Sequence, residues 1–416
     1  MTFTYSVVAS PLHDAETVNT VIAPVSEVLA KLGGSRTTTP AQAPTEPHVI
    51  VVATGGTEAA ALAVVEQRST AALWEPVVLV THPGHNSLPA ALEILARLQL
   101  DGRRGEIVAL DSAELGALGT PTEAAVTRLA ESISFLEAAH RLRVAKLGLV
   151  GTPSDWLVAS VPEVEALRGT WGVQMTPIDI TDSITAQRTA LADGRALLPV
   201  VAKYSTPEVT DTAELTAAAA LHPALLDSIE AEGVNAVTVR CFDYLGELHT
   251  SGCIALAQLN DTGIVAGCEG DVASAVAMMW VRELLDSPSW MANPAAIDPD
   301  TDQLLLAHCT VAPSMVNDLS LHTHFESGFG VGLRGTFAPG PVTLIRLGGP
   351  GLSKAWIADA MVVGTSDSEH LCRTQVTLDV EPGRVAELLH APLGNHIVMA
   401  FGHHRERLER WRSLML

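Results

Sequence analysis

Gly263-Ile-Val-Ala-Gly-Cys-Glu-Gly-Asp271 runs on into Val272-Ala-Ser-Ala-Val-Ala-Met-Met-Trp-Val-Arg-Glu-Leu-Leu285. A short apolar run, a turn of glycine and acids, and apolar residues Val272, Val276, Met279 and Leu284 at helical spacing predict a buried strand handing over to a helix. Glu269 and Asp271 fall at the hand-over. In open α/β sheets ligands bind at that end of the strands, and the partial positive charge of a helix start keeps a nearby carboxylate ionised and able to take a cation. Asp271 is expected at the cap, pointing toward the cleft, with Glu269 in the turn. Because Asn caps a helix about as well as Asp, Asp271→Asn is expected to spare stability while removing the charge a cation needs.

Working outward, the same order of strand, turn and helix recurs toward the N-terminus. Phe3–Ala9, His48–Ala53, Pro76–Thr81 and Gly105–Leu110 read as strands, with helices over 21–32, 88–98 and 122–142. A second series begins at Lys146–Gly151 and continues through Gly172–Asp179 and Ala236–Asp243, a strand ending in an acid. Strands alternating with helices argue for doubly wound α/β units. After Pro294 the character shifts. Leu304–His308, Pro341–Arg346, Arg373–Asp379 and His396–Phe401 read as strands without intervening helices, followed by a basic helix from His404. The expected fold class is α/β, with Rossmann-like domains over 1–143 and 144–300 and a β-rich C-terminal domain over 301–416.

Composition narrows the function. The 416 residues suit two or three domains, and 47 acidic against 25 basic residues give a net charge of −22, a field that repels nucleic acid and anionic membranes. No apolar run reaches the roughly 20 residues of a membrane span, and the N-terminus lacks a basic region followed by an apolar one, so a soluble, cytoplasmic protein is expected. The cysteines at 241, 253, 268, 309 and 372 are scattered without a Cys-x-x-Cys, so buried thiols are expected rather than disulfides or a zinc site.

Several turns carry candidate chemistry. Thr54-Gly-Gly-Thr57 and Gly151-Thr-Pro-Ser154 lack a nucleotide fingerprint and read as tight turns. His82-Pro-Gly-His-Asn-Ser87 places His82, His85 and Asn86 at a strand end, where donors and acceptors suit a polyhydroxylated ligand. Further on, Asp243, Glu269, Asp271 and His308 end strands, His324 and Glu326 lie in a glycine-flanked loop, and Asn395-His396 precedes a strand. Carboxylates with one or two imidazoles form the inventory of an open Mn²⁺ or Mg²⁺ site.

Cys268-Glu-Gly-Asp271, Ser289-Trp-Met-Ala-Asn-Pro294, Ala307-His-Cys-Thr310, His324-Phe-Glu-Ser-Gly328, Cys372-Arg-Thr-Gln375 and Pro392-Leu-Gly-Asn-His396 together resemble the L-fucose isomerase and L-arabinose isomerase superfamily, particularly its shorter fucose-isomerase-like members. The resemblance implies a Mn²⁺-dependent aldose to ketose isomerisation of a sugar such as L-fucose or D-arabinose, in trimers or hexamers whose sites lie between subunits. It further implies Asp271 and His396 as metal ligands and Asn395 as a sugar contact. The family's metal-binding Glu should fall just after Cys241, where Asp243 is the nearest carboxylate. His308, in an Ala-His segment like that of the arabinose enzymes, would complete the sphere. Asp243 with Asp271 or Glu269 would carry the proton between C1 and C2, while His82, His85, Asn86, His324 and Glu326 would face the sugar. A non-catalytic sugar-binding protein and a metal-enolate epimerase or lyase are the competing readings.

Overall fold

The computed structural model describes residues 2–113, 119–196, 204 and 212–416. The chain forms two compact units, residues 1–141 with 410–416, and residues 142–409. The first is built on a parallel sheet of β1 (Phe3–Val8), β2 (Gly34–Arg36), β3 (His48–Val52), β4 (Val77–Thr81) and β5 (Gly105–Ala109), in the order β2-β1-β3-β4-β5. His48–Val52 and Val77–Thr81 are buried throughout, as continuous apolar strands in a sheet covered on both faces should be. Winding reverses between β1 and β3, which opens a crevice at the carboxyl ends of those strands.

A buried ion network holds the edge of this core. Glu75 accepts hydrogen bonds from Arg68 Nε at 2.6 Å, from the His48 backbone amide at 3.2 Å, and pairs with His140 Nε2 at 2.6 Å. Burial raises the Glu75 carboxyl, but its bonds to His140 and Arg68 and their charge outweigh that and hold it below the ordinary 4.5. A carboxyl so depressed contributes stability that is complete above its unfolded pKa and is lost as the pH falls through the folded value. Glu75→Gln is therefore expected to cost about 3 kcal/mol near neutral pH, because it leaves the Arg68 charge buried and unpaired. Melts of variant and wild type should converge as the pH drops below the ordinary carboxylate range, and a gap independent of pH would contradict the assignment.

The second unit joins two different sheets. The first is parallel, formed by β6 (Lys146–Val150), β7 (Gln174–Ile178), β8 (Ala236–Val239) and β9 (Val265–Cys268) in the order β7-β6-β8-β9. The second closes on itself as a barrel, β10 (Ser289–Asp298), β11 (Gln303–His308), β16 (Thr374–Val380), β15 (Lys354–Gly364), β14 (Gly340–Gly348) and β17 (Ile397–Phe401). Each neighbouring barrel pair is antiparallel. A side hairpin pairs β12 (Asn317–Thr323) with β13 (Val331–Thr336). The mixed α/β character and the β-rich C-terminal region follow the sequence reading, with barrel closure as an addition.

The helix Val272–Leu285 is the seam. It packs on β8 and β9 on one side and on β10, β14 and β17 on the other. That position explains why Val272 through Val281 are all buried: the apolar stripe read from the sequence is part of an interior helix, not of a surface one. Among the described residues no helix is long and apolar enough to cross a membrane.

Candidate active site

At the amino end of the seam helix the backbone makes two successive left-handed turns, Glu269 at φ 63° and Gly270 at φ 69°. Gly270 is required there for a second reason, since a Cβ would lie 2.8 Å from the Thr152 carbonyl oxygen and Pro153 Cα. Asp271 then caps the helix, accepting from the Ser274 amide at 2.8 Å and the Ser274 hydroxyl at 2.9 Å. The tight turn separates the two acids. Asp271 is fully buried, while Glu269 keeps 8% of its surface.

The barrel supplies the imidazoles. Asn293 of β10 pairs with Ala307 and Ala292 with Ile397, so the end of β11 and the start of β17 flank the same part of β10. The His308 and His396 rings accordingly stand 5.6 Å apart, edge to face. Glu269, His308 and His396 each present one ligand atom, and these atoms all lie within 4.8 Å of one another.

Buried partners orient each member. His396 Nδ1 is 2.9 Å from Asp271 Oδ2, leaving Nε2 directed at the cluster, 3.4 Å from Glu269 Oε1 and without a hydrogen-bond partner. Asp271 is also paired with Arg346 Nη1 at 3.2 Å, and Arg346 in turn donates to Ser160 Oγ at 2.5 Å. Gly394 makes room for that guanidinium, since a Cβ there would fall 1.9 Å from Arg346 Nη2. His308 Nδ1 is engaged by Thr310 Oγ1 at 2.8 Å. The Trp156 indole donates to Glu269 Oε2 at 2.6 Å.

The electrostatics follow from these contacts. Burial opposes charge on Asp271, yet bonds to His396, the Arg346 cation and the Ser274 amide hold its carboxyl well below the usual range. Burial likewise raises Glu269, and His396, His308 and Trp156 outweigh it and lower it. Burial, with the charge of His396, pushes His308 down to about 3, so it is a neutral imidazole. Burial would lower His396 too, but Asp271 and Glu269 raise it to about 9.

A carboxylate and two imidazoles fit a divalent cation. A buried His nitrogen with no hydrogen-bond partner, on a ring fixed through its other nitrogen by a carboxylate, is the arrangement that orients a metal-binding histidine. Asp271 occupies that supporting position, and its side chain is not among the clustered ligand atoms.

The other candidate residues are placed variously. β8 ends at Val239, so Asp243 lies on the helix Phe242–Glu247 rather than at a strand end. There it pairs with Arg240 Nε at 3.0 Å and is not brought into the cluster. Asn395 is exposed beside buried His396. His324 is buried, with Nδ1 3.0 Å from Ser327 Oγ and its ring 6.0 Å from Phe242. Burial, then the charge of Glu269, raises the Glu326 carboxyl.

In the first unit, both His82 nitrogens are used by backbone, Nε2 with the Ala53 carbonyl at 2.8 Å and Nδ1 with the Gly84 amide at 3.2 Å. His82 therefore braces its turn. His85 and Asn86, exposed and at positive φ, line a cavity of ≈ 600 Å³ with Ser10, His13 and Gly55.

Arg346, Ser274 and Thr310 are not singled out by the sequence as site residues, and the turn Thr152–Trp156, which by resemblance is expected to reach a neighbouring subunit's site, brings Trp156 to Glu269 of its own chain. Arg346 carried a signal, as a charge closing the apolar run Pro341-Val-Thr-Leu-Ile-Arg346. Trp156 carried a weaker one, as an aromatic in the turn after β6.

No family model matches the chain. The chain is 24% identical over 244 residues to a sulfoquinovose isomerase of Alkalicoccus urumqiensis, covering 55% of this chain and 54% of that protein. It is 25% identical over 247 residues to the sulfoquinovose isomerase of Priestia megaterium, covering 55% and 53%. A third protein of that name, from Clostridium sp., is 28% identical over 205 residues, 47% of this chain and 44% of its own length. The matched region thus spans about half the length of these relatives.

Proposed function

We propose that the protein is a metal-dependent aldose–ketose isomerase of sugars. The observation that carries the reading is the cluster of Glu269, His308 and His396, in which the fully buried His396 Nε2 has no hydrogen-bond partner and lies 3.4 Å from Glu269 Oε1. Similarity to proteins named sulfoquinovose isomerase supports it, as does the resemblance to the fucose and arabinose isomerases and their Rossmann-like domains. Sulfoquinovose leads the proposed substrates, ahead of L-fucose and D-arabinose.

Glu269, His308 and His396 would hold the ion, and two nitrogen donors favour Mn²⁺ over Mg²⁺, which prefers oxygen. When bound, such a cation supplies Lewis-acid stabilisation of the negative charge that develops on the sugar oxygens as the carbonyl migrates. Asp271 keeps its proton-bearing partner, His396 Nδ1, on the side away from the cluster and so presents Nε2 to the site. Neutral His308 adds a donor without adding repulsion. Glu269 has one oxygen held by Trp156 and the other facing His396, which fits it to ligation better than to proton transfer.

The test is a panel of aldoses, with sulfoquinovose, L-fucose and D-arabinose among them, incubated with chelator-stripped protein with and without Mn²⁺ in deuterated water. The expected result is Mn²⁺-dependent formation of a ketose with deuterium incorporated at carbon. A bound sugar with no exchange would favour the binding-protein reading, and inversion without carbonyl movement an epimerase. We further propose a homo-oligomer, trimer or hexamer, in which the His85–Asn86 crevice serves a second copy's site; a monomer in sedimentation would count against it.

A further inference from the structure

The loop from Thr152 to Trp156 is attached to the Glu269 turn at three points. The Ser154 amide donates to the Glu269 carbonyl at 2.9 Å, Gly270 is pressed against Thr152 and Pro153, and the Trp156 indole reaches Glu269 Oε2 at 2.6 Å. Trp156 is nonetheless 51% exposed. Its ring rests edge-on against Phe242 at 4.9 Å. A large apolar side chain held half in solvent by a hydrogen bond to a buried carboxylate is not explained by burial of surface.

The loop is itself anchored. Arg240 Nη1 donates to the Pro153 carbonyl at 2.7 Å and to Thr152 Oγ1 at 3.1 Å, and its guanidinium pairs with Asp155 at 3.3 Å. Asp243 fixes Arg240 from behind at 3.0 Å. A chain of contacts therefore runs from Asp243 through Arg240 and the loop to Glu269. Glu269 sits at a positive φ that a non-glycine residue adopts only under constraint, and this loop supplies the constraint.

We propose that Trp156 is a positioning residue for the metal site: its indole N–H holds Glu269 so that Oε1 faces the imidazoles, and Asp243 acts at a distance by pinning Arg240 and with it the loop. The inference rests on the proposed metal-dependent reading. It gives Asp243 a part in the site without ligation.

Two measurements on the full-length protein test it. In ¹⁵N-tryptophan-labelled, metal-free protein, the indole signal missing from Trp156→Phe identifies Trp156. That signal is expected to be protected from exchange in the wild type and to shift in Glu269→Gln. In Mn²⁺ titrations of chelator-stripped protein, Trp156→Phe is expected to lose about 10- to 100-fold in affinity, the usual cost of removing an outer partner of a metal ligand. Trp156→Gln, which keeps an N–H donor, should recover part of it, and Asp243→Asn should lose less than Trp156→Phe.

Undiminished Mn²⁺ affinity in Trp156→Phe, or an indole signal indifferent to Glu269→Gln, overturns the inference. A loss in Asp243→Asn larger than in Trp156→Phe overturns the remote role of Asp243. A wild type that takes up no Mn²⁺ while its indole signal still responds to Glu269→Gln overturns the proposed function and leaves the orientation of Glu269 by Trp156 supported.

Discussion

Glu269→Gln is expected to abolish measurable Mn²⁺ binding and with it any isomerase turnover. Glu269 is the carboxylate whose oxygen groups with His308 and His396, and an amide oxygen offers the ion no charge. Loss of a direct ligand should exceed the about 10- to 100-fold that loss of an outer partner costs. Stability should suffer less, because His396 keeps Asp271, its shorter partner at 2.9 Å against 3.4 Å to Glu269. Calorimetric titration with Mn²⁺ and a thermal melt without metal check both halves. Full affinity in the variant would move the metal assignment to Asp271.

Asp271→Asn is expected to do the reverse of what a mere helix cap suggests. Asn replaces the cap, but Asp271 is fully buried against Arg346, whose side chain is 2% exposed, and against His396. Removing its charge leaves two cationic groups with no buried counter-charge beyond Glu269, and breaking one partner out of a buried pair costs about 3–5 kcal/mol. The metal-free melting temperature should therefore drop by many degrees, contrary to the expectation drawn from capping preference alone. A melt within a degree or two of wild type would show that Arg346 finds another partner. Asp271→Asn should also weaken Mn²⁺ binding through the loss of His396 orientation.

The turn that organises the molecule is plain in the sequence. The apolar run before Cys268, the glycine between two acids and the periodic residues after Asp271 lead to β9, the turn and the seam helix where they are found. Which acid meets the imidazoles was not readable. Strand alternation gives Glu269 and Asp271 the same side and cannot tell them apart; in the structure, after the two left-handed residues 269 and 270, they meet opposite nitrogens of His396, Glu269 at Nε2 and Asp271 at Nδ1. His308 and His396 were legible as histidines at strand ends, since β11 stops at His308 and β17 begins after His396.

Asp243 was misplaced because Ala236–Asp243 reads as one apolar run closed by an acid, whereas pairing with β6 and β9 stops at Val239. Barrel closure was invisible for another reason. It needs β10 to pair with β17 and β11 with β16 across long sequence separations, and the hydrophobic pattern of a strand states its buried face without naming its neighbour. β15 alternates in the structure, with Ala358, Ala360 and Val362 buried between the outward Asp359, Met361 and Val363, but Met361 and Val363 are themselves apolar, so the sequence does not display that alternation.

The seam between parallel sheet and barrel has a consequence for how this unit tolerates being taken apart. The carboxylate comes from the turn after β9, and both imidazoles come from the barrel, His308 at one strand end and His396 beside another. Among the described residues, neither layer brings together a cation-binding group by itself. An ion gripping both favours only the state in which they are joined, and it stabilises that state by RT ln(1 + [ion]/Kd). On the proposed metal-dependent reading, uptake would therefore double as a clasp: draining the ion should first loosen the joint between sheet and barrel, and a fragment carrying either layer alone should be blind to the metal.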